Sequence, residues 1–499
     1  MNLLLDLLLA AVLGGLHSLP FVHTGWWPAQ FVIIAALASR IAKAGPGRAA
    51  LIGVAFGSAW IASSTWWLYI SMHTYGDLPA GLAAGAVALL SLTLSLYLAA
   101  AFAAFARWRS GRGAQDALLF GAVWLLAELA RGVILTGFPW VASGYAQVDS
   151  PLAALAPWVG VYGIGFALAV LAAWPRMGRL RALPLASLLL VLAALTFAGP
   201  ARFTTPSSTL SVTLLQGNVP QDEKFEQAYL PKALAWTREA LLSAHGQLVV
   251  GPETVIPLLP SQLDPGYWDS IADHFRGPQA ALIGLPLGND EIGYTNSAAG
   301  ISSETAALPG GFYRYDKHHL VPFGEFIPNG FHWFTELMRI PLGDFNRGVL
   351  GPPSFAFHGE RIGPNICYED LFGEELATRF TSSATAPTIF ANISNIAWFG
   401  DSIAIAQHLQ ISRMRALEFQ RPMLRATNTG ATAVIDHTGV VTARLAPLTQ
   451  GLLDAEVQGR TGLTPFAAWA SRLDLWPLWG VGASIVAAAV LRRRRRAAA

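Results

Sequence analysis

The sequence predicts a multi-pass α-helical membrane domain of eight spans together with an α/β layered domain, and three observations lead there. Hydrophobic residues make up 53% of the chain and charged residues 13%, roughly half the ~25% usual for a soluble domain. The shortage of charge is uneven: residues 1–200 are nearly free of Asp and Glu, whereas 206–465 have the texture of a water-soluble α/β domain. Finally, that soluble stretch is flanked on both sides by apolar runs long enough to cross a bilayer. The expected organisation is a membrane domain over 1–205, a globular domain over 206–470, and a last span with its tail over 471–499.

Seven apolar runs precede residue 200: Leu3–Leu19, Pro28–Ala42, Ala49–Ile70, Ala80–Phe105, Ala117–Leu135, Leu152–Trp174 and Ala182–Ala198; an eighth covers Leu473–Leu491. The first has no basic residue ahead of it and carries Asp6 instead, so it reads as a retained span rather than a cleaved signal. Linkers after spans two, four and six carry Arg40, Lys43 and Arg48; Arg107, Arg109 and Arg112; and Arg176, Arg179 and Arg181. Those after spans one and three have no Lys or Arg, and the stretch after span five has only Arg131. Basic linkers gather on the cytoplasmic side, so both termini are expected in the cytoplasm and the globular domain outside it. The arginine run Arg492–Arg496 then acts as a topology anchor rather than a nucleic-acid contact. Within span five, Glu128 and Arg131 lie one helical turn apart and read as a local structural pair. Trp26, Trp27, Trp66, Trp67 and Trp476 are expected to form an interfacial belt.

From Thr209 onward, short β-branched or apolar runs alternate with Gly/Pro turns. Strands are expected at Leu210–Gln216, Leu248–Gly251, Ala280–Leu285, Asn296–Ile301, Ile362–Cys367, Thr388–Ile393, Met423–Thr427 and Ala431–Asp436. Helices are expected at Tyr229–Ala244, Tyr267–Phe275, Leu371–Arg379 and Ile405–Phe419. Strands interleaved with helices indicate a layered α/β domain.

Three segments of this domain carry chemistry. Cys367, the single cysteine of the chain, stands in Ile-Cys-Tyr-Glu-Asp (Ile366–Asp370), where a strand ends and a helix is expected to begin. One thiol cannot form an internal disulfide, and a thiolate is favoured at a helix N-terminus or beside a cation. Glu253 closes Val-Val-Gly-Pro-Glu-Thr (Val249–Thr254), a carboxylate thrust out at a strand end and able to take a proton. Lys317, in Tyr315–Glu325, can supply a cation to the thiolate and later to an oxyanion. His318 and His319 have no second ligand cluster at suitable spacing and read as structural, with no metal site implied.

These blocks together resemble the signatures of the nitrilase, or carbon–nitrogen hydrolase, superfamily with its Glu-Lys-Cys triad. Within it, the membrane layout, Gln216–Gln221 (Gln-Gly-Asn-Val-Pro-Gln), Ala397–Asp401 (Ala-Trp-Phe-Gly-Asp) and Arg413–Glu418 resemble the apolipoprotein N-acyltransferases over essentially the whole chain. The resemblance implies an α-β-β-α sandwich facing the periplasm of the bacterial inner membrane. It implies Glu253 as general base, Lys317 as oxyanion-stabilising lysine and Cys367 as nucleophile. Glu325 matches a second supporting glutamate, Tyr368 and Glu369 the positions flanking the nucleophile, and Asn296 a pocket asparagine. Phe225 stands where some members have a tryptophan near the site entrance, Trp398 lies in the second matching stretch, and Ile396 replaces a common acidic residue.

The implied reaction moves an acyl chain from a membrane phospholipid through a Cys367 thioester to the α-amine of a diacylglyceryl apolipoprotein, without cofactor, metal or nucleic acid. Two other readings stand beside it: a membrane-anchored amidase that discharges its acyl-enzyme to water, and a non-enzymatic lipid or lipoprotein binder. Seven preceding spans argue against the first, and the intact Glu-Lys-Cys set against the second. The apolar cluster Phe331, Trp333, Phe334, Leu337, Met338, Ile340, Leu342 and Phe345 reads either as core or as a mobile lid that guides an acyl chain.

Overall fold

The computed structural model describes residues 2–177, 190–191, 193–194, 202–224, 226–328 and 345–498. It divides into two compact units: residues 1–68, 80–201 and 473–499 form one, and 69–79 with 202–472 the other.

The first unit is helical: α1 Leu3–His17, α2 Trp27–Ile41, α3 Pro46–Thr65, α4 Ala80–Trp108, α5 Gly113–Val133, α6 Ala156–Met177 and, near the C-terminus, a further helix over Trp476–Ala498. Small residues let the helices approach closely, as membrane helices do. A Cβ on Gly14 of α1 would stand 2.2 Å from the Phe56 carbonyl of α3, and one on Gly53 would stand 2.8 Å from Ala99 of α4. Asp6 is buried and accepts from Arg48 Nε at 2.8 Å, with Arg40 3.6 Å away. The acidic residue of span one therefore meets the basic linker after span two, placing those two chain segments at the same end of the unit. Glu128 accepts from the amide and hydroxyl of Ser143, each at 2.7 Å, while Arg131 donates to the Phe138 carbonyl at 3.2 Å. Both thus tie down the loop after α5, which is a wider role than a bond within one helix.

Eight spans are more than the described residues support. Four helical stretches are long and apolar enough to cross a membrane, and two bent helix pairs raise this to at most six. The second expected span corresponds to α2, only 15 residues long. The third ends early: α3 stops at Thr65, and Tyr69–Pro79 belongs to the other unit. The seventh expected span, Ala182–Ala198, falls almost wholly outside the described residues. The tryptophan belt also needs correction, because Trp67 is buried against Trp140 while Trp26, Trp66 and Trp476 are exposed.

The second unit contains two six-stranded sheets, in order β12-β1-β2-β3-β4-β5 and β11-β10-β9-β8-β7-β6. The first comprises β1 Thr204–Gln216, β2 Leu248–Val250, β3 Ala280–Asn289, β4 Gly293–Ile301, β5 Tyr313–Asp316 and β12 Gly451–Gly462. The second comprises β6 Phe355–Phe357, β7 Glu360–Ile366, β8 Ile389–Ser394, β9 Met423–Thr427, β10 Ala433–Ile435 and β11 Val441–Arg444. All eight expected strands are present, with ends shifted by a few residues. Four were not expected: β5, β6, β11 and β12. β5 and β6 are short, and the exposed faces of β11 and β12 weaken the apolar pattern.

Leu214, Val250 and Leu282 of one sheet pack with Ile366, Ile393 and Leu424 of the other in a single apolar layer. On the outer face of the first sheet lie α7 Leu230–Ser243 and α8 Tyr267–Phe275, joined through Leu241, Ile271 and Phe275 to Val249 and Ile283. On the outer face of the second lie α9 Gly373–Ala377, α10 Ala404–Phe419 and α11 Pro465–Leu473, through Leu376, Phe419 and Phe466 to Phe390 and Met423. The layering is α-β-β-α. Helix α12, Trp476–Ala498, completes the order.

The topology decides where function can sit. Strands β1, β2 and β3 are parallel, β4 runs against β3, and β5 runs against β4, so β5 shares the direction of the first three. Strands β7, β8 and β9 are parallel in the other sheet. Side chains that leave the carboxyl ends of such strands collect in one crevice. Glu253 follows β2, Lys317 follows β5 and Cys367 follows β7.

Candidate active site

Two of the three residues leave their strands at a backbone turn that ordinary side chains avoid. Cys367 itself has φ +53°, and Thr254, next to Glu253, has φ +46°; Phe323, near Glu325, has φ +62°. Such conformations persist only where surroundings enforce them. At Cys367 the enforcement is visible: its carbonyl accepts from Asn392 Nδ2 at 3.1 Å and lies 3.2 Å from His408 Nε2. His408 lies 3.1 Å from Asp370, which also binds the Ser412 hydroxyl and Arg425 Nη1, the latter at 3.3 Å. Burial opposes the charge on Asp370, but His408, Arg425 and Ser412 outweigh it and hold the carboxyl below its ordinary range. The turn after Cys367 is a 3₁₀ segment, Cys367–Leu371, followed by the five-residue α9, rather than the single helix expected from Leu371.

Glu253, Lys317, Glu325 and Asn296 form one buried cluster. Lys317 Nζ is 2.9 Å from the Glu325 carboxylate and 3.4 Å from Glu253 Oε1. Asn296 Nδ2 donates to Glu253 Oε1 at 2.7 Å and to Glu325 Oε1 at 2.6 Å. The Asn395 amide holds Glu253 Oε2 at 2.8 Å, and the Val321 amide holds Glu325 Oε2 at 2.8 Å. Burial works against the Lys317 ammonium, but Glu325 and Glu253, then Cys367, outweigh it and hold its pKa above the ordinary lysine value. The thiol behaves oppositely to the sequence expectation. Burial first and the Glu253 carboxylate second push the Cys367 pKa well up, against the opposing pull of Lys317. The resting sulfur is a thiol, with the Glu253 carboxylate near enough to raise its pKa.

Glu369 braces two of the three segments at once. Its carboxylate accepts from the Ile366 amide at 2.7 Å and the Tyr315 hydroxyl at 2.6 Å, and from the amides of His318 at 2.7 Å and His319 at 3.2 Å. His318 Nδ1 lies 2.7 Å from the Gly348 carbonyl, and His319 stacks on Phe372 and meets Glu375 at 2.8 Å. Burial lowers the His319 pKa to about 4, so the ring is neutral near neutral pH. Among the described residues no group of three His, Cys, Asp or Glu could hold a metal ion.

Tyr368 is buried next to the thiol, and Trp398 sits in the turn after Asn395, edge-on to Tyr75 at 5.9 Å. Phe225 and, except for Phe345, the apolar cluster Phe331–Phe345 lie outside the described residues. Ile396 is 1% exposed and packs in the outer apolar layer with Phe419, so an acid there would be buried in hydrocarbon. Sequence reasoning missed Asn395, Tyr315 and Lys224. Lys224 lies three positions after Gln221 of a motif already singled out, and Asn395 lies just ahead of Ala397–Asp401, so adjacency was the available signal.

Residues 13–174 match the apolipoprotein N-acyltransferase N-terminal domain family, and residues 212–466 match the carbon-nitrogen hydrolase family. An apolipoprotein N-acyltransferase of Verminephrobacter eiseniae is 56% identical over 453 residues, covering 86% of this chain and 84% of the relative. This chain belongs to the apolipoprotein N-acyltransferase family. A second member, from Ralstonia nicotianae, is 47% identical over 490 residues, covering 96% of this chain and 92% of its own, and one from Bordetella bronchiseptica is 40% identical over 93% of both. The protein is accordingly an acyltransferase with a helical, membrane-type N-terminal region and a carbon–nitrogen-hydrolase-like α/β unit.

Proposed function

We propose that this acyltransferase moves an acyl chain from a membrane phospholipid to the α-amine of the N-terminal diacylglyceryl-cysteine of apolipoproteins, by way of a thioester on Cys367. The observation that supports it is the set of a buried base, a buried ammonium and the chain's sole, half-buried thiol, placed at strand ends in a protein that also carries a unit of apolar helices.

In the first half-reaction Glu253 takes the thiol proton and the sulfur adds to the ester carbonyl. The tetrahedral oxyanion faces the Lys317 ammonium and the Tyr368 amide. Collapse breaks the ester C–O bond, and Glu253 returns its proton to the departing lysophospholipid oxygen. In the second half-reaction the lipoprotein amine adds to the thioester carbonyl and gives its proton to Glu253. The C–S bond then breaks, and the sulfur is reprotonated as the amide is released. Asn296 and Glu325 orient Glu253 and Lys317, Glu369 aligns the two flanking segments, and the family resemblance assigns Phe225 and Trp398 to substrate binding. No cofactor takes part. The alternating basic linkers place the catalytic unit on the periplasmic side of the inner membrane with both termini in the cytoplasm, in the eight-span arrangement.

The test is an intact-mass trace of purified protein mixed with phospholipid and then chased with a lipopeptide. Wild type gains one acyl mass and passes it to the lipopeptide, and Cys367→Ala gains none. Transfer by Cys367→Ala at the wild-type rate overturns the covalent route. Discharge by water as fast as with lipopeptide present makes the protein an amidase-type hydrolase instead.

A further inference from the structure

The catalytic cluster contains a second buried lysine that the proposed steps leave unused. Lys224 is 5% exposed, and its ammonium donates to the Glu253 carbonyl at 3.1 Å and to Thr254 Oγ1 at 2.6 Å. These two contacts grip both sides of the peptide at which the chain turns into the left-handed Thr254 conformation, φ +46°. Lys224 also lines a small pocket together with Glu253, Thr254, Trp236 and Asn428.

Charge counting shows what the second lysine adds. Ionised Glu253 and Glu325 carry two negative charges and Lys317 one positive, so this buried set alone would hold an unbalanced negative charge. Buried charge without a partner is costly. Lys224 brings the sum to zero. The remaining carboxylates nearby have their own partners: Glu369 accepts four bonds, and Asp370 faces His408 and Arg425. When Cys367 passes its proton to Glu253, negative charge moves from oxygen to sulfur and the sum stays zero.

We propose that Lys224 is a positioning residue of the acyl-transfer centre, which pins the turn presenting Glu253 and supplies the positive charge that stabilises first the Glu253 carboxylate and then the Cys367 thiolate. The inference rests on the roles assigned above to Glu253 and Cys367.

The electrostatics agree with that placement. Burial brings the Lys224 pKa down to about 8, while Glu253 and then Cys367 act in the opposite direction. Lys317 and Glu325 face Glu253 from the β5 side; on Lys224's own segment Asp222 is exposed and Glu223 half-buried. The lysine is therefore charged at neutral pH and loses its proton as pH rises through about 8. Acylation should fall along that limb in wild type. Arginine, which keeps its proton there, should carry activity to higher pH.

Because Cys367 is the only cysteine, alkylation of the full-length protein by iodoacetamide, read by intact mass, reports this thiol alone. Comparing wild type, K224M and K224R across pH 5–10 tests the inference. Below pH 8, where Lys224 carries its proton, K224M should alkylate about tenfold more slowly than wild type, and the two rates should converge above it. K224R should keep the wild-type alkylation profile at neutral pH, and its alkaline limb for phospholipid acylation should move above 8. An unshifted alkylation profile in K224M overturns the role, whether or not the overall rate falls. If K224M does not fold, an unmoved alkaline limb in K224R overturns it instead. Alkylation needs no lipid, so a wild-type protein that alkylates normally yet takes no acyl mass from phospholipid sinks the proposed reaction rather than the role of Lys224.

Discussion

The two units bury polar groups for different ends. In the helical unit, Asp6, Glu128 and Arg131 are each spent on joining segments: Asp6 to Arg48, Glu128 to Ser143, Arg131 to Phe138. In the α/β unit the buried charges gather near strand ends, where Lys317 meets Glu253 and Glu325 within 3.4 Å. Distributed polar contacts stabilise an arrangement, whereas concentrated ones create an electrostatic environment able to move protons. The same residue types therefore mean structure in one unit and chemistry in the other, and position relative to strand ends distinguishes them.

That contrast can be broken experimentally. The largest expected effect concerns sidedness: reporter fusions at Gln262 and after Ala499 should report opposite faces of the membrane. A cytoplasmic signal from Gln262 would remove the periplasmic placement. Next in size is Lys317→Ala, expected to slow acyl-enzyme formation by about 10²–10³-fold, since an oxyanion partner is lost; near-wild-type bursts in rapid-quench assays would assign Lys317 a structural role.

Arg425→Met should destabilise the α/β unit by about 3–5 kcal/mol, because it strips a partner from fully buried Asp370. Denaturant melts check this, and a loss below about 1 kcal/mol would show that His408 and Ser412 suffice. In the helical unit, Gly14→Ala drives a methyl group into the Phe56 carbonyl and should cost about 1–3 kcal/mol. The neighbouring Gly15 has nothing within 4 Å of an added Cβ, so Gly15→Ala should leave stability unchanged or raise it by about 0.5–1 kcal/mol. Thermal melts in detergent that rank the two glycines alike would show that α1 does not pack on α3 as described.

Much of the catalytic unit was legible in its sequence because strands half-covered by helices leave a short-range signature. The runs around Val212, Val249, Ile283 and Ile366 each end in turn residues, and each became a strand. The strands that escaped were those with weak patterns: β5, of four residues, has only Tyr315 fully buried, and β12 alternates exposed and half-buried positions along much of its length. The site was partly legible for the same reason, since Lys317 and Cys367 directly follow strands and Glu253 comes three residues after one. Lys224 follows no strand directly, so nothing local announced it.

In the helical unit, hydropathy alone identified apolar runs but not the helix ends within them. Apolar composition does not say where a helix stops, and α3 ends at Thr65 although the apolar run continues to Ile70. What the sequence by itself determined is therefore composition-scale and local: two kinds of region, the strands with strong alternation, and which residues bear chemistry. Only the tertiary structure decided what those residues become to one another. The thiol illustrates this best. Beside a cation and before a helix its pKa should fall, yet burial and the facing Glu253 carboxylate raise it. Desolvation and the net field depend on every charge packed around the sulfur, and the Glu253 carboxylate arrives from a segment more than a hundred residues away.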